Sequence, residues 1–74
     1  MNKYLYVNGN HYPFAKELIP NLVKDLEAGI NMIRFCSFTK IETYQGECTI
    51  SLDGRKSKIS CKTLADMLNK EIGE

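Results

Sequence analysis

The 74-residue sequence lacks the features on which most membrane proteins and most enzymes are built. It has no long hydrophobic run: the stretch from Ile30 to Phe35 is broken by Asn31 and Arg34, far short of the roughly 18 apolar residues a membrane helix needs. Its opening, from Met1 to Asn8, has no apolar core of the kind a secretory leader carries. Both absences predict a soluble, cytoplasmic protein with no membrane partner. A large charge excess is missing too. Ten basic and nine acidic residues leave a net charge of +1, which argues against a general polyanion binder.

The chemistry-bearing residues are equally sparse. His11 is the only histidine, and it lies beside Asn10 and Tyr12 with no Asp, Glu, Ser or Cys near enough in sequence to complete a catalytic constellation. The serines at 37, 51, 57 and 60 sit in no nucleophile-elbow pattern. Asp25 and Glu27 are two apart on a predicted helix and so do not share a face. The five glycines are scattered, which excludes a phosphate-cradling loop. Cys36, Cys48 and Cys61 are odd in number and contain no close pair, so neither a disulfide framework nor a structural zinc site is expected. Each is flanked by Ile, Leu or Phe within a few residues, where Cys packs as a small hydrophobe. The expectation is a non-enzyme with no metal and no cofactor.

What the chain does contain is enough for one small domain over residues 1–74. At this length, burial and the entropy of ordering nearly cancel, so the chain must pack tightly or lean on a partner. Asn8-Gly9 separates Tyr4–Val7 from Asn10–Tyr12, and an Asn-Gly pair suits a two-residue hairpin turn. That register sets Val7 opposite Asn10 and Leu5 opposite Tyr12, with Tyr4, Tyr6 and His11 on the other side and Pro13 ending the second strand. Leu18, Ile19, Leu22, Val23 and Leu26 step as a helix does. Pro20 requires that helix either to begin near it or to kink, and Gly29 supplies a stop.

Residues 31–62 read as a three-stranded antiparallel meander turning at Gln45-Gly46 and Asp53-Gly54. Ile41 then pairs with Ile50, Thr43 with Cys48, Leu52 with Arg55 and Cys48 with Ile59. One face collects Ile33, Phe35, Ile41, Cys48, Ile50, Leu52, Ile59 and Cys61. The other holds Arg34, Cys36, Phe38, Lys40, Glu42, Tyr44, Thr49, Ser51, Lys56, Lys58 and Ser60. A last helix is expected from Thr63 as N-cap, with Asp66 three residues on, an apolar stripe of Leu64, Met67, Leu68 and Ile72, and a stop at Gly73. The predicted fold is a two-layer α+β domain of order ββ-α-βββ-α, with both helices on one face of the sheet. The helix–three strands–helix order over residues 14–73 resembles the layout of double-stranded-RNA-binding domains. At the basic helix start of that family this chain has Lys62 and then Asp66.

The open sheet face is the predicted working surface. There Arg34, Lys40, Lys56 and Lys58 surround Phe38, with Tyr44 at the hairpin end. Aromatic and Arg side chains anchor protein interfaces, and the near-zero charge favours a protein over a nucleic acid as the partner. A regulator or inhibitor is expected, of the size that phages and plasmids encode. The alternative is a nucleic-acid-binding module, in which the same lysines neutralise phosphates and Phe38 stacks on a base. Tyr4, Tyr6 and His11 form a second candidate surface. One face of the hairpin must be covered by the rest of the chain or by a partner, which leaves a homodimer open.

Overall fold

The structure is a computed structural model that describes residues 2–72. Strands β1 (Asn2–Val7) and β2 (Asn10–Ala15) form a hairpin, and a single 3-10 turn (Lys16–Leu18) leads into helix α1 (Ile19–Ala28). Four strands follow, β3 (Met32–Cys36), β4 (Thr39–Tyr44), β5 (Glu47–Leu52) and β6 (Arg55–Ser60), and then helix α2 (Cys61–Ile72). The hairpin is its own two-stranded sheet, and β3-β4-β5-β6 is an antiparallel sheet in chain order. The class is α+β as predicted, but four strands stand between the helices where three were expected. The helix–three strands–helix likeness to RNA-binding domains goes with that count. Among the described residues, no helix is long and apolar enough to cross a membrane.

The extra strand comes from a turn at Ser37-Phe38, where both residues have positive φ (54° and 73°). Residues 31–44, taken as one strand, would run to fourteen positions, well beyond the usual 3–10. A two-residue turn puts the residues flanking it, here Cys36 and Thr39, on the same side of the sheet. Everything before the turn is therefore inverted relative to an uninterrupted strand. Ile33 and Phe35, expected inside, face out, whereas Cys36 and Arg34, expected outside, face in. From β4 onward the predicted pairs all hold: Ile41 with Ile50, Thr43 with Cys48, Cys48 with Ile59 and Leu52 with Arg55.

The buried face of the larger sheet packs in one apolar cluster with both helices and the hairpin. Helix α1 contributes Ile19, Leu22, Val23 and Leu26, and α2 contributes Cys61, Leu64, Ala65 and Leu68. Pro20 lies in the first turn of α1, where no backbone N–H is missed, and Gly29 closes the helix in the left-handed conformation at φ 73°. Helix α2 begins two residues earlier than Thr63. Ser60 Oγ accepts the Thr63 N–H at 3.1 Å and donates to Thr63 Oγ1 at 2.7 Å, so Ser60 is the cap. Strand β6 runs straight into this helix, and the Cys61 N–H donates to Gly46 O at 2.9 Å. The side chain of Ile72 and the stop expected at Gly73 lie outside the described residues.

The hairpin covers part of the sheet with its Leu5, Val7, Tyr12 and Phe14 side. Its register is the predicted one, but β2 continues through Pro13 to Ala15. Hydrogen-bonded and unbonded pairs alternate away from the Asn8-Gly9 turn, which makes Tyr4–Pro13 an unbonded pair. The ring therefore deprives β1 of nothing. The Pro13 carbonyl points away from β1 and accepts the buried Thr39 hydroxyl at 2.7 Å. Tyr12 and Ser57 share a buried hydrogen bond of 2.7 Å between their hydroxyls, and Asn8 Nδ2 donates to Lys58 O at 3.2 Å.

All three cysteines are free and buried. Burial raises each thiol pKa, and for Cys48 burial, with Cys61 and Glu47 adding to it, pushes the value up from 9.0 to about 12. Between those values the unfolded chain releases the Cys48 proton while the folded chain keeps it. Stability should therefore fall as pH rises, by up to about 1.4 kcal/mol per pH unit for this thiol. Urea midpoints at about pH 8.5 and about pH 10.5 test this. Cys48→Ala is expected to lose less over that interval than the wild type, and equal losses would show that the thiol is not protected.

Candidate functional site

The outward face of β3–β6 is bare of helices and hairpin. Across it, β3 contributes Ile33 and Phe35, β4 contributes Lys40, Glu42 and Tyr44, β5 contributes Glu47, Thr49 and Ser51, and β6 contributes Lys56, Lys58 and Ser60. These positions follow from the alternation of side chains along each strand once the turns set the register. The rows across the sheet are Phe35-Lys40-Ser51-Lys56 and Ile33-Glu42-Thr49-Lys58. The face is thus polarised, with apolar residues at the β3 edge and lysines at the β6 edge.

Lys40, Tyr44, Lys56 and Lys58 stand on this face as the sequence predicted. Arg34 does not. It lies on the covered side and forms an ion pair with Asp25 of α1. Phe38 is not within the face either. It occupies the second position of the β3–β4 turn and is 86% exposed. A bulky side chain in that left-handed conformation costs roughly 1–2 kcal/mol relative to the usual backbone regions. The residues missed in the sequence are Ile33 and Phe35, exposed by 66% and 62%. The overlong strand at 31–44 was the signal that could have found them.

A shallow groove of about 890 Å³ lies on this face, lined among others by Ile33, Glu42, Tyr44, Glu47, Thr49 and Lys58. Its charges are mixed. Lys40 is itself engaged by Glu42 at 3.5 Å. With Arg34 turned inward and two carboxylates at the groove, the positive potential expected of a phosphate-binding surface is reduced to Lys56, Lys58 and neighbours at one edge.

The second candidate surface is placed as predicted. Tyr4 and Tyr6 are each 61% exposed, and Tyr6 packs against its cross-strand neighbour His11 with ring centroids 4.6 Å apart. No acidic or nucleophilic side chain joins His11 there in any described contact, and the described residues contain no cluster of His, Cys, Asp and Glu that could hold a metal. Compared with known proteins, the chain matches no family model, no curated sequence and no solved structure.

Proposed function

We propose that this chain is a small non-enzymatic protein-binding module, a regulator or inhibitor, that docks its partner on the open face of the four-stranded sheet. The observation that carries this reading is the pairing of exposed Ile33 and Tyr44 in one groove with mixed-charge walls, with exposed Phe35 two residues along β3 from Ile33 on the same face. Exposed apolar residues scattered singly need no explanation, but a contiguous set rimmed by polar groups favours a partner. Five of the eight large apolar side chains that are exposed among the described residues fall between Ile30 and Tyr44. Nucleic acid is the weaker reading, because Arg34 and Lys40 are committed to carboxylates.

Capture with the tagged chain, analysed for both protein and nucleic acid, tests the proposal. Once the partner is in hand, Tyr44→Ala and Phe35→Ala should each weaken binding by about 2 kcal/mol, roughly 30-fold, with the thermal midpoint unchanged. Lys56→Ala combined with Lys58→Ala should mainly slow association. Normal binding by all of these variants would sink the reading and move attention to Tyr4, Tyr6 and His11. Recovery of nucleic acid whose affinity falls steeply with salt would replace it.

A further inference from the structure

The two edges of the larger sheet are built differently. In the β5–β6 hairpin, Leu52–Arg55 flanks the turn as a hydrogen-bonded pair, so Lys56 and Lys58 turn their backbone groups outward at the β6 edge. Lysines at an edge discourage strand addition, and the Lys58 carbonyl is already taken by Asn8 Nδ2. The β3 edge has no such protection. Counting from the Cys36–Thr39 pair, Met32, Arg34 and Cys36 turn toward β4, and Ile33 and Phe35 turn their N–H and C=O groups outward. No hydrogen bond outside the β3–β4 ladder is made by these groups in the described residues.

From this edge we infer that β3 pairs antiparallel with β3 of a second copy, with Arg34 opposite the second copy's Arg34. The exposed apolar residues of the segment are spaced symmetrically about that position. Ile33 and Phe35 lie one residue to either side, and Ile30 and Phe38 lie four to either side. A two-fold axis at Arg34 therefore sets Ile33 beside the second copy's Phe35, and Ile30 level with the second copy's Phe38, twice each. Aromatic rings against β-branched side chains are favourable cross-strand pairs. The chain stays beside β4 as far back as Ile30, because Thr43 Oγ1 donates to Ile30 O at 2.6 Å and Asn31 Oδ1 accepts the Gln45 N–H at 3.0 Å.

Charge does not oppose this pairing. Arg34 is the only charged residue from Ile30 to Phe38, and Asp25 neutralises it within each copy. Area also suits it. At roughly 200 Å² for a full side chain, the exposed parts of Ile30 (48%), Ile33 (66%), Phe35 (62%) and Phe38 (86%) amount to about 500 Å² per copy. Two copies then bury up to about 1,000 Å², the lower bound for a specific but weak interface. The product is a continuous eight-stranded sheet. It gives the strained, largely exposed Phe38 an apolar neighbour at the new strand edge.

The inference rests in part on the docking reading, since Ile33 and Phe35 serve both, and the tests separate the two. Sedimentation of the wild type from micromolar to about 1 mM should show the mass doubling. Phe35→Lys, which places a charge on the edge without touching the core, should weaken association at least tenfold with an unchanged melt. Arg34→Cys should oxidise to a covalent dimer, because an unbonded antiparallel pair has its Cα atoms about 4.5 Å apart, within disulfide reach. Phe35→Cys should not link to its own counterpart. A wild type that stays monomeric, a Phe35→Lys variant that still dimerises, or cross-linking through Phe35→Cys in place of Arg34→Cys would each overturn the pairing. Tyr44→Ala lies away from the edge and should leave the mass unchanged while weakening partner capture. A wild type that stays monomeric yet captures a partner refutes this inference alone, and a wild type that dimerises without any captured partner refutes only the docking reading.

Discussion

Ile50→Ala is expected to lower the unfolding free energy by about 2–5 kcal/mol. Ile50 sits on β5 between Ile41 of β4 and Ser57 of β6, fully buried under the helices and hairpin. Removing three carbons there leaves a cavity that a close-packed core fills only in part. For a chain of this length the loss is a large share of the whole stability. Its neighbour gives the control. Thr49 points to the open face, and Thr49→Ala should cost less than about 0.5 kcal/mol. Urea titrations of the two variants measure the difference directly, and similar losses would contradict the assignment of faces along β5.

Tyr12→Ala should cost about 3–5 kcal/mol, because its ring is the largest fully buried side chain the hairpin sends into the core. Tyr12→Phe keeps the ring and removes only the hydroxyl bonded to Ser57 Oγ at 2.7 Å, and should cost about 1–2 kcal/mol. Ser57 keeps two weaker contacts, from Asn10 Nδ2 at 3.4 Å and to Val7 O at 3.4 Å, so the hydroxyl it loses is partly compensated. The two residues share one bond, so combining Tyr12→Phe with Ser57→Ala should cost less than the sum of the single changes. Additive losses in such a double-mutant cycle would mean that the hydroxyls act independently. A small loss for Tyr12→Ala, with the hairpin still resistant to protease, would show that the hairpin does not depend on this anchor.

The parts of the fold that were legible in the sequence are those with a local cause. Asn8-Gly9, Gln45-Gly46 and Asp53-Gly54 each place glycine at the second turn position, at φ between 80° and 84°, where a side chain is strained. Those turns carry the registers of β1–β2, β4–β5 and β5–β6 with them, because side chains alternate strictly from a known starting point. The stop of α1 at Gly29 has the same local origin, whereas Pro20 left a start near it or a kink both open, and the structure places it in the first turn. Lys40, Tyr44, Lys56 and Lys58 were placed correctly because they lie after the last turn that the sequence concealed.

Tertiary structure alone decided the rest. Ser37-Phe38 has neither glycine nor asparagine to announce a turn. The chain turns there because Cys36 and Thr39 are then both buried, with Thr39 bonded to Pro13 O across 26 residues. That contact is invisible to any short window of sequence, yet it inverts β3, draws Arg34 to Asp25 and exposes Ile33 and Phe35. The hairpin's seat on the sheet is equally non-local, held by Tyr12 and Ser57 from positions 45 apart. The start of α2 at Cys61 depends on β6 ending beside Gly46, whose carbonyl takes the Cys61 N–H. Local chemistry along the chain set the turns with glycine, the presence of both helices with the stop of α1, and the strand registers that follow from those turns. Burial of distant polar partners determined which way β3 faces, and with it which residues form the candidate site.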